Sequence, residues 1–158
     1  MMKIMLEQWD KNEANLKQAL SELKEFPESY LDLVKLAFDA VYNHDLRYSC
    51  YELDCYRITE IDDGDYQGTL IYLIPFKTYQ PEEYEYLMTY AGYGSCSGCD
   101  ALQGIEAEGN YGEAPNEEQQ KELLGLCRDI LANTIKPYNC GWRNEEVFQA
   151  VTYERSNE

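Results

Sequence analysis

The sequence predicts an α+β fold, in which helices cover a small antiparallel sheet of about three strands in the order α-α-β-β-β-α-α. Apolar residues recur with helical spacing in four segments, and tyrosine-rich segments with partial alternation lie between them. Capping residues, glycines and prolines separate these segments. We expect residues 1–158 to form a single domain, because a chain of 158 residues can bury a substantial core.

The first two elements are predicted to be helices. Residues 12–26 carry an apolar stripe at helical spacing, and Pro27 ends it. A second helix opens at Ser29, and Asp32 three residues later completes a capping-box pattern. Its apolar face consists of Tyr30, Leu33, Val34, Ala37, Phe38 and Val41. The short gap between the two helices predicts an antiparallel pair.

The middle of the chain is predicted to form the sheet. Residues 47–61 and 66–76 read as two strands of a hairpin, joined by a turn at 62–65 in which glycine supplies a positive φ. Residues 84–93 read as a third strand, with a helix as the alternative. In the strand, Tyr84, Tyr86, Met88 and Tyr90 share one face, and Glu85, Leu87 and Thr89 share the other.

Two further helices follow. Asp100 and Gln103 form a capping pair that opens a short helix to about Glu108. Asn116 caps the next helix, which Pro137 is expected to end. Its apolar stripe is Leu123, Leu124, Cys127, Ile130, Leu131 and Ile135. Residues 144–154 are a last short element whose type the pattern does not decide.

The composition is strongly acidic. Thirty acidic against thirteen basic residues give a formal charge of −17, which repels nucleic acid phosphates and anionic lipid and favours a basic protein as partner. We therefore expect no direct nucleic-acid or membrane binding. The chain contains no apolar run long enough to span a bilayer, and its first residues lack a signal-peptide pattern. These features favour a cytoplasmic protein.

Potentially reactive side chains are most concentrated in residues 92–103, which we call the CxxC corner. There Cys96 and Cys99 lie between a predicted strand and a predicted helix. Three interpretations stay open: half of a zinc site, a redox dithiol, or simple packing in a glycine-rich turn. We expect the two sulfurs to lie within about 4 Å of each other, as a shared metal or a disulfide requires.

A zinc site would need two more ligands. Cys140 is the freest third candidate and Cys55 a candidate for the fourth, whereas Cys127 falls on an apolar helix stripe. The alternatives for the fourth position are Cys50 and His44.

The segment Gly92-Tyr-Gly-Ser-Cys-Ser-Gly-Cys-Asp-Ala-Leu-Gln103, together with Tyr66-Gln-Gly-Thr-Leu70, resembles a motif of uncharacterised small proteins encoded by bacteriophages and other mobile elements. The resemblance covers part of the chain and implies no established activity. It implies an accessory protein, a class that includes inhibitors of host defence.

These observations predict a non-enzymatic acidic binding protein, a nucleic-acid mimic that inhibits a basic host protein. A small zinc-stabilised domain and a thiol-dependent redox protein, with Cys96 as the favoured nucleophile, are the alternatives. The carboxylates expected to stand in for phosphates are Asp54, Asp62, Asp63, Asp65, Glu82, Glu83 and Glu85.

Overall fold

The elements follow one another in the predicted order, with a three-stranded antiparallel sheet between pairs of helices. The structure is a computed structural model that describes residues 2–135, so the expectations for Pro137, Cys140 and residues 144–154 lie outside the described residues. The helices are α1 (Met2–Ser21), α2 (Tyr30–Ala37), α3 (Asn43–Leu46), α4 (Ala101–Glu106) and α5 (Glu117–Ala132), with a π-helical turn at Phe38–Tyr42. The strands are β1 (Thr59–Asp62), β2 (Gly68–Pro75) and β3 (Tyr86–Tyr93).

The first two helices differ from the prediction at their ends. Helix α1 begins ten residues before the predicted 12–26 segment, at Met2, and ends at Ser21. Ser29 is the N-cap of α2, but its side chain makes no capping hydrogen bond. Asp32 instead accepts the Glu28 N–H at 3.0 Å, so the capping-box prediction is wrong in its bonding although right in its position.

Helix α2 continues through the π-helical turn into α3, and α1 packs chiefly against that turn. The buried Asn12 of α1 adds hydrogen bonds to the apolar contact between α1 and the α2–α3 segment. Its amide donates to the Val41 carbonyl and to the Asp45 carboxylate, both at 3.0 Å. A buried amide with these partners fixes the rotation of α1 against the helix that it covers.

The predicted first strand is shorter than expected. Only Thr59–Asp62 pair with β2, and residues 47–58 form turns with a single bridge between Leu53 and Phe76. The reason is that a side chain from α3 competes for backbone hydrogen bonds of this segment. The Asn43 side chain both accepts the Leu53 N–H at 2.8 Å and donates to the Leu53 carbonyl at 2.9 Å, so these groups have no need of a strand partner.

Strand β3 confirms the predicted strand and excludes the helical alternative. Leu87, Thr89 and Ala91 are buried, while the alternate residues of β3 are only half-buried or exposed. The buried face packs on α5, where the Thr89 hydroxyl donates to the Ile130 carbonyl. The tyrosines thus line the outer face of β3, and small or aliphatic residues face the helices.

None of the described helices combines the length and the apolar composition needed to cross a bilayer.

Candidate functional site: the CxxC corner

The loop between β3 and α4 is closed by Asp100, which is only 5% exposed. One carboxylate oxygen accepts the Gly94 N–H at 2.9 Å, at the start of the loop. The other accepts the Gln103 N–H at 3.0 Å, which confirms the predicted helix cap, and the Tyr30 hydroxyl at 3.1 Å. Asp100 therefore ties both ends of the loop together and fastens them to α2.

Gly94 allows the loop to fold back on itself. A Cβ at this position would lie 2.5 Å from the Cys99 carbonyl oxygen and 2.8 Å from its sulfur, closer than real Cβ contacts come. The Gln103 amide also donates to the Gly94 carbonyl at 3.3 Å. The absence of a side chain at this position thus brings Cys99 against the beginning of the loop.

The two thiols converge as predicted. The sulfurs of Cys96 and Cys99 lie 2.7 Å apart, and both residues are exposed, free cysteines. The Cys99 sulfur also accepts the Cys96 N–H at 3.1 Å and lies 3.8 Å from the Ser95 hydroxyl. The hydrogen bond with the Cys96 thiol, more than any other cause, lowers the pKa of the Cys99 thiol, and the Ser95 hydroxyl and the Cys96 N–H lower it further.

The donors thus favour a thiolate at Cys99, whereas the sequence favoured Cys96 as the nucleophile, and that expectation stays a prediction. A thiolate is stabilised where donors converge on its sulfur, and the loop directs the backbone and side-chain donors toward Cys99. The sequence contained no sign of this asymmetry, because it depends on the fold-back of the loop at Gly94.

Among the described residues, no third ligand lies beside Cys96 and Cys99. No three His, Cys, Asp or Glu side chains among residues 2–135 come together in a way that could hold an ion, so Cys55 is not a ligand alongside Cys96 and Cys99. Cys55 is buried, where its sulfur lies 3.7 Å from the Asn43 amide and burial raises its pKa to about 12. Cys140 falls outside the described residues.

A groove of about 700 Å³ runs beside Cys99, between α4 and α5. Small residues, among them Ala101, Gly104 and Gly125, form part of its lining. Three exposed carboxylates also line it, those of Glu108, Glu122 and Asp129. Sequence reasoning missed this groove, since nothing in the local patterns says which faces of α4 and α5 meet.

The predicted acidic residues of the hairpin lie together at one end of the sheet. Asp62 accepts the Tyr93 hydroxyl at 2.6 Å and the Gly64 N–H at 2.9 Å, and these bonds, the first above all, lower its pKa. Asp63 accepts the Thr69 N–H at 2.6 Å. We call Asp62, Asp63 and Asp65, all three exposed, the hairpin carboxylates.

The other predicted acidic residues lie elsewhere. Asp54 lies near the end of β2, where its N–H donates to the Pro75 carbonyl. Its carboxylate lies 3.7 Å from the Arg57 guanidinium. Glu82 and Glu83 are exposed in the loop at that same end, but Glu85 is buried at 6% exposure and adds no carboxylate to the surface. Strand β2 separates the two ends by about 24 Å. The seven carboxylates therefore do not form one continuous surface.

Comparison of the chain with protein-family models, with curated proteins and with solved structures found no match. The resemblance to phage-encoded proteins stays a prediction.

Proposed function

We propose that the chain is an acidic binding protein whose partner is a basic, nucleic-acid-binding protein. The observation that carries this proposal is a net charge of −17 combined with three exposed carboxylates at the hairpin end of the sheet, two of which are held by hydrogen bonds. The resemblance to proteins of phages and mobile elements supports a host protein as that partner.

Two of the three hairpin carboxylates, Asp62 and Asp63, are ordered by backbone N–H groups that donate to them. Because Asp62 and Asp63 accept the main-chain N–H groups of Gly64 and Thr69, little side-chain entropy remains to be lost when a cation approaches them. None of the ion pairs between described residues involves Asp62, Asp63 or Asp65. Their charge is thus not neutralised by a neighbouring Lys or Arg of the described chain.

The hairpin also offers apolar contacts beside these charges. All four residues of β1 are exposed, including Ile61 at 44%, and Tyr66 in the turn is 81% exposed. Tyrosine is enriched in protein interfaces, where its ring supplies area and its hydroxyl a hydrogen bond. A basic surface that binds the carboxylates would cover these two side chains as well.

The same charge keeps nucleic acid away from the protein itself. Phosphates and the hairpin carboxylates would then compete for the same cationic groups of the partner. Inhibition by mimicry follows from this competition and needs no catalytic group.

A binding experiment with matched double variants tests the proposal. Basic proteins retained from a bacterial lysate at low salt are identified, and the affinity of each purified protein is measured over a range of salt concentrations. The variant Asp63→Asn/Asp65→Asn removes two charges and keeps an acceptor oxygen for the Thr69 N–H. We expect it to weaken binding about fivefold or more at low salt, with a smaller loss at high salt.

The control variant Glu82→Gln/Glu83→Gln removes the same charge at the opposite end of the sheet and should leave the affinity nearly unchanged. Excess duplex DNA should displace the protein from its partner. Equal losses in both variants, or retained partners that bind no nucleic acid, would overturn the proposal.

A further inference from the structure

We propose that Cys96 and Cys99 form a redox-active dithiol that reduces disulfides carried by cationic molecules, which bind in the groove between α4 and α5. This inference goes beyond binding of a basic partner and is independent of it. The groove and the thiols share no residue with the hairpin carboxylates, so separate variants test the two proposals.

The geometry already brings the thiols together. Their sulfurs are 2.7 Å apart, and closing a disulfide requires a separation of about 2.05 Å. Asp100 holds the loop at both ends, which leaves only a small adjustment of the Cys96 and Cys99 side chains. Both thiols are exposed, as exchange with another molecule demands.

The groove assigns different roles to the two cysteines. Cys99 lines the groove together with Gly98 and Asp100, whereas Cys96 is not among its lining residues. The Cys96 N–H also donates to the Cys99 sulfur, which favours negative charge there. Cys99 is therefore the attacking thiolate and Cys96 the resolving thiol.

The exchange has two steps. The Cys99 thiolate attacks one sulfur of the substrate disulfide, and a mixed disulfide forms while the other substrate sulfur leaves as a thiolate that takes up a proton. The Cys96 thiolate, its proton lost to water, then attacks the Cys99 sulfur and releases the second substrate thiol. In total the protein dithiol loses two electrons and two protons, and the substrate disulfide gains them.

The lining of the groove selects the charge of the substrate. The carboxylates of Glu108, Glu122 and Asp129 are exposed along it, and no Lys or Arg is among the described residues that form it. Gly125 leaves room for a substrate to approach the backbone, since a Cβ there would meet nothing within 4 Å. An ammonium or guanidinium group near the substrate disulfide fits this lining, while an anionic disulfide is repelled by it and by the net charge.

Three small disulfides that differ in charge test the proposal: cystamine with two ammonium groups, hydroxyethyl disulfide with none, and dithiodipropionate with two carboxylates. The reduced protein is mixed with each, quenched by alkylation, and the Cys96–Cys99 disulfide is quantified by peptide mass spectrometry. At low salt we expect cystamine to react about tenfold faster than dithiodipropionate after correction for their intrinsic reactivity with a free thiol, with the difference shrinking at high salt.

Separate variants test the roles of the two cysteines and the charge selectivity of the groove. Cys96→Ser should stop at a mixed disulfide on Cys99, whereas Cys99→Ser should form little adduct on Cys96. Glu122→Gln/Asp129→Asn should reduce the preference for cystamine without slowing hydroxyethyl disulfide, and Glu82→Gln/Glu83→Gln, with the same charge change far from the groove, should keep the preference. Equal corrected rates for the three disulfides, or a mixed disulfide that accumulates on Cys96, would overturn the proposal.

Discussion

The Tyr30 hydroxyl donates a hydrogen bond of 3.1 Å to Asp100 and accepts one of 3.2 Å from the Leu102 N–H. Tyr30 lies near the start of α2, so this pair of bonds fastens the CxxC loop and the first turn of α4 to a helix seventy residues earlier in the chain. Burial of the hydroxyl, more than any other cause, raises the pKa of Tyr30 to about 12. The corner is therefore held by the core rather than by the loop alone.

Removing the Asp100 carboxylate should destabilise the fold. Asp100→Ala leaves the Gly94 and Gln103 N–H groups and the Tyr30 hydroxyl without their acceptor, and we expect a loss of about 2 to 4 kcal/mol in the free energy of unfolding. Urea unfolding at neutral pH measures this loss. Tyr30→Phe removes the hydroxyl but keeps the cap, so it should cost less, about 1 to 2 kcal/mol. An Asp100→Ala protein as stable as the parent would contradict this account of the corner.

A methyl group at residue 94 should disturb the thiols directly. Gly94→Ala places its Cβ against the carbonyl and sulfur of Cys99, and the shift that follows should cost about 1 to 3 kcal/mol and slow disulfide closure. Gly98→Ala is the matched control, because its Cβ would meet only the Cys96 sulfur at 3.9 Å. Thermal unfolding and the rate of disulfide formation check both variants. Similar behaviour of the two would show that crowding at Gly94 does not shape the corner.

Local patterns predicted the parts of the fold that depend on neighbouring residues. The Asp100 cap, the Asn116 cap and the alternation of β3 each arise within a few residues, and the structure confirms all three. Residues 47–58 have the composition of a strand, but the side chain of Asn43, ten residues before Leu53, satisfies the backbone instead. That competition is tertiary, and no pattern within the segment reveals it.

For the CxxC corner too, the sequence predicted the features set by neighbouring residues and missed those set by packing between distant segments. The spacing of Cys96 and Cys99 was enough to predict that the sulfurs lie close together, because a tight turn brings side chains three residues apart to the same side. Which thiol receives the donors, and that Cys99 faces a groove lined by α5, depends on packing between segments distant in sequence. The position of Cys55 away from Cys96 and Cys99 has the same origin, since the fold buries it beside Asn43.

The cysteines should differ sharply in their rates of alkylation. Iodoacetamide at neutral pH should modify Cys99 first, because hydrogen bonds lower its pKa and it is exposed. Cys55 and Cys127 should react only after unfolding, since both are buried and burial raises the pKa of each to about 12. Peptide mass spectrometry over time gives the order. Ser95→Ala should slow the reaction of Cys99 modestly, and faster labelling of Cys96 than of Cys99 would contradict the assignment.

The bond between Tyr93 and Asp62 should make stability depend on pH at both extremes. The bond lowers the pKa of Asp62, so its contribution is fully present above the unfolded value of about 3.9 and is lost as the pH falls through the lower folded value. The same bond raises the pKa of Tyr93 to about 12. Its contribution to stability is therefore fully present below the unfolded pKa of about 10 and is lost as the pH rises through the folded pKa.

Tyr93→Phe removes the hydroxyl that Asp62 accepts and should lower the urea midpoint by an amount that is constant near neutral pH and shrinks toward both extremes. Urea unfolding of the parent and the variant from acid to alkaline pH measures this difference. Tyr66→Phe is the control, because Tyr66 lies in the same hairpin with 81% of its surface exposed. The difference in urea midpoint between the parent and Tyr66→Phe should show no such pH dependence. A midpoint difference between the parent and Tyr93→Phe that stays the same below pH 3.9 would mean that Asp62 titrates alike in the folded and unfolded chains.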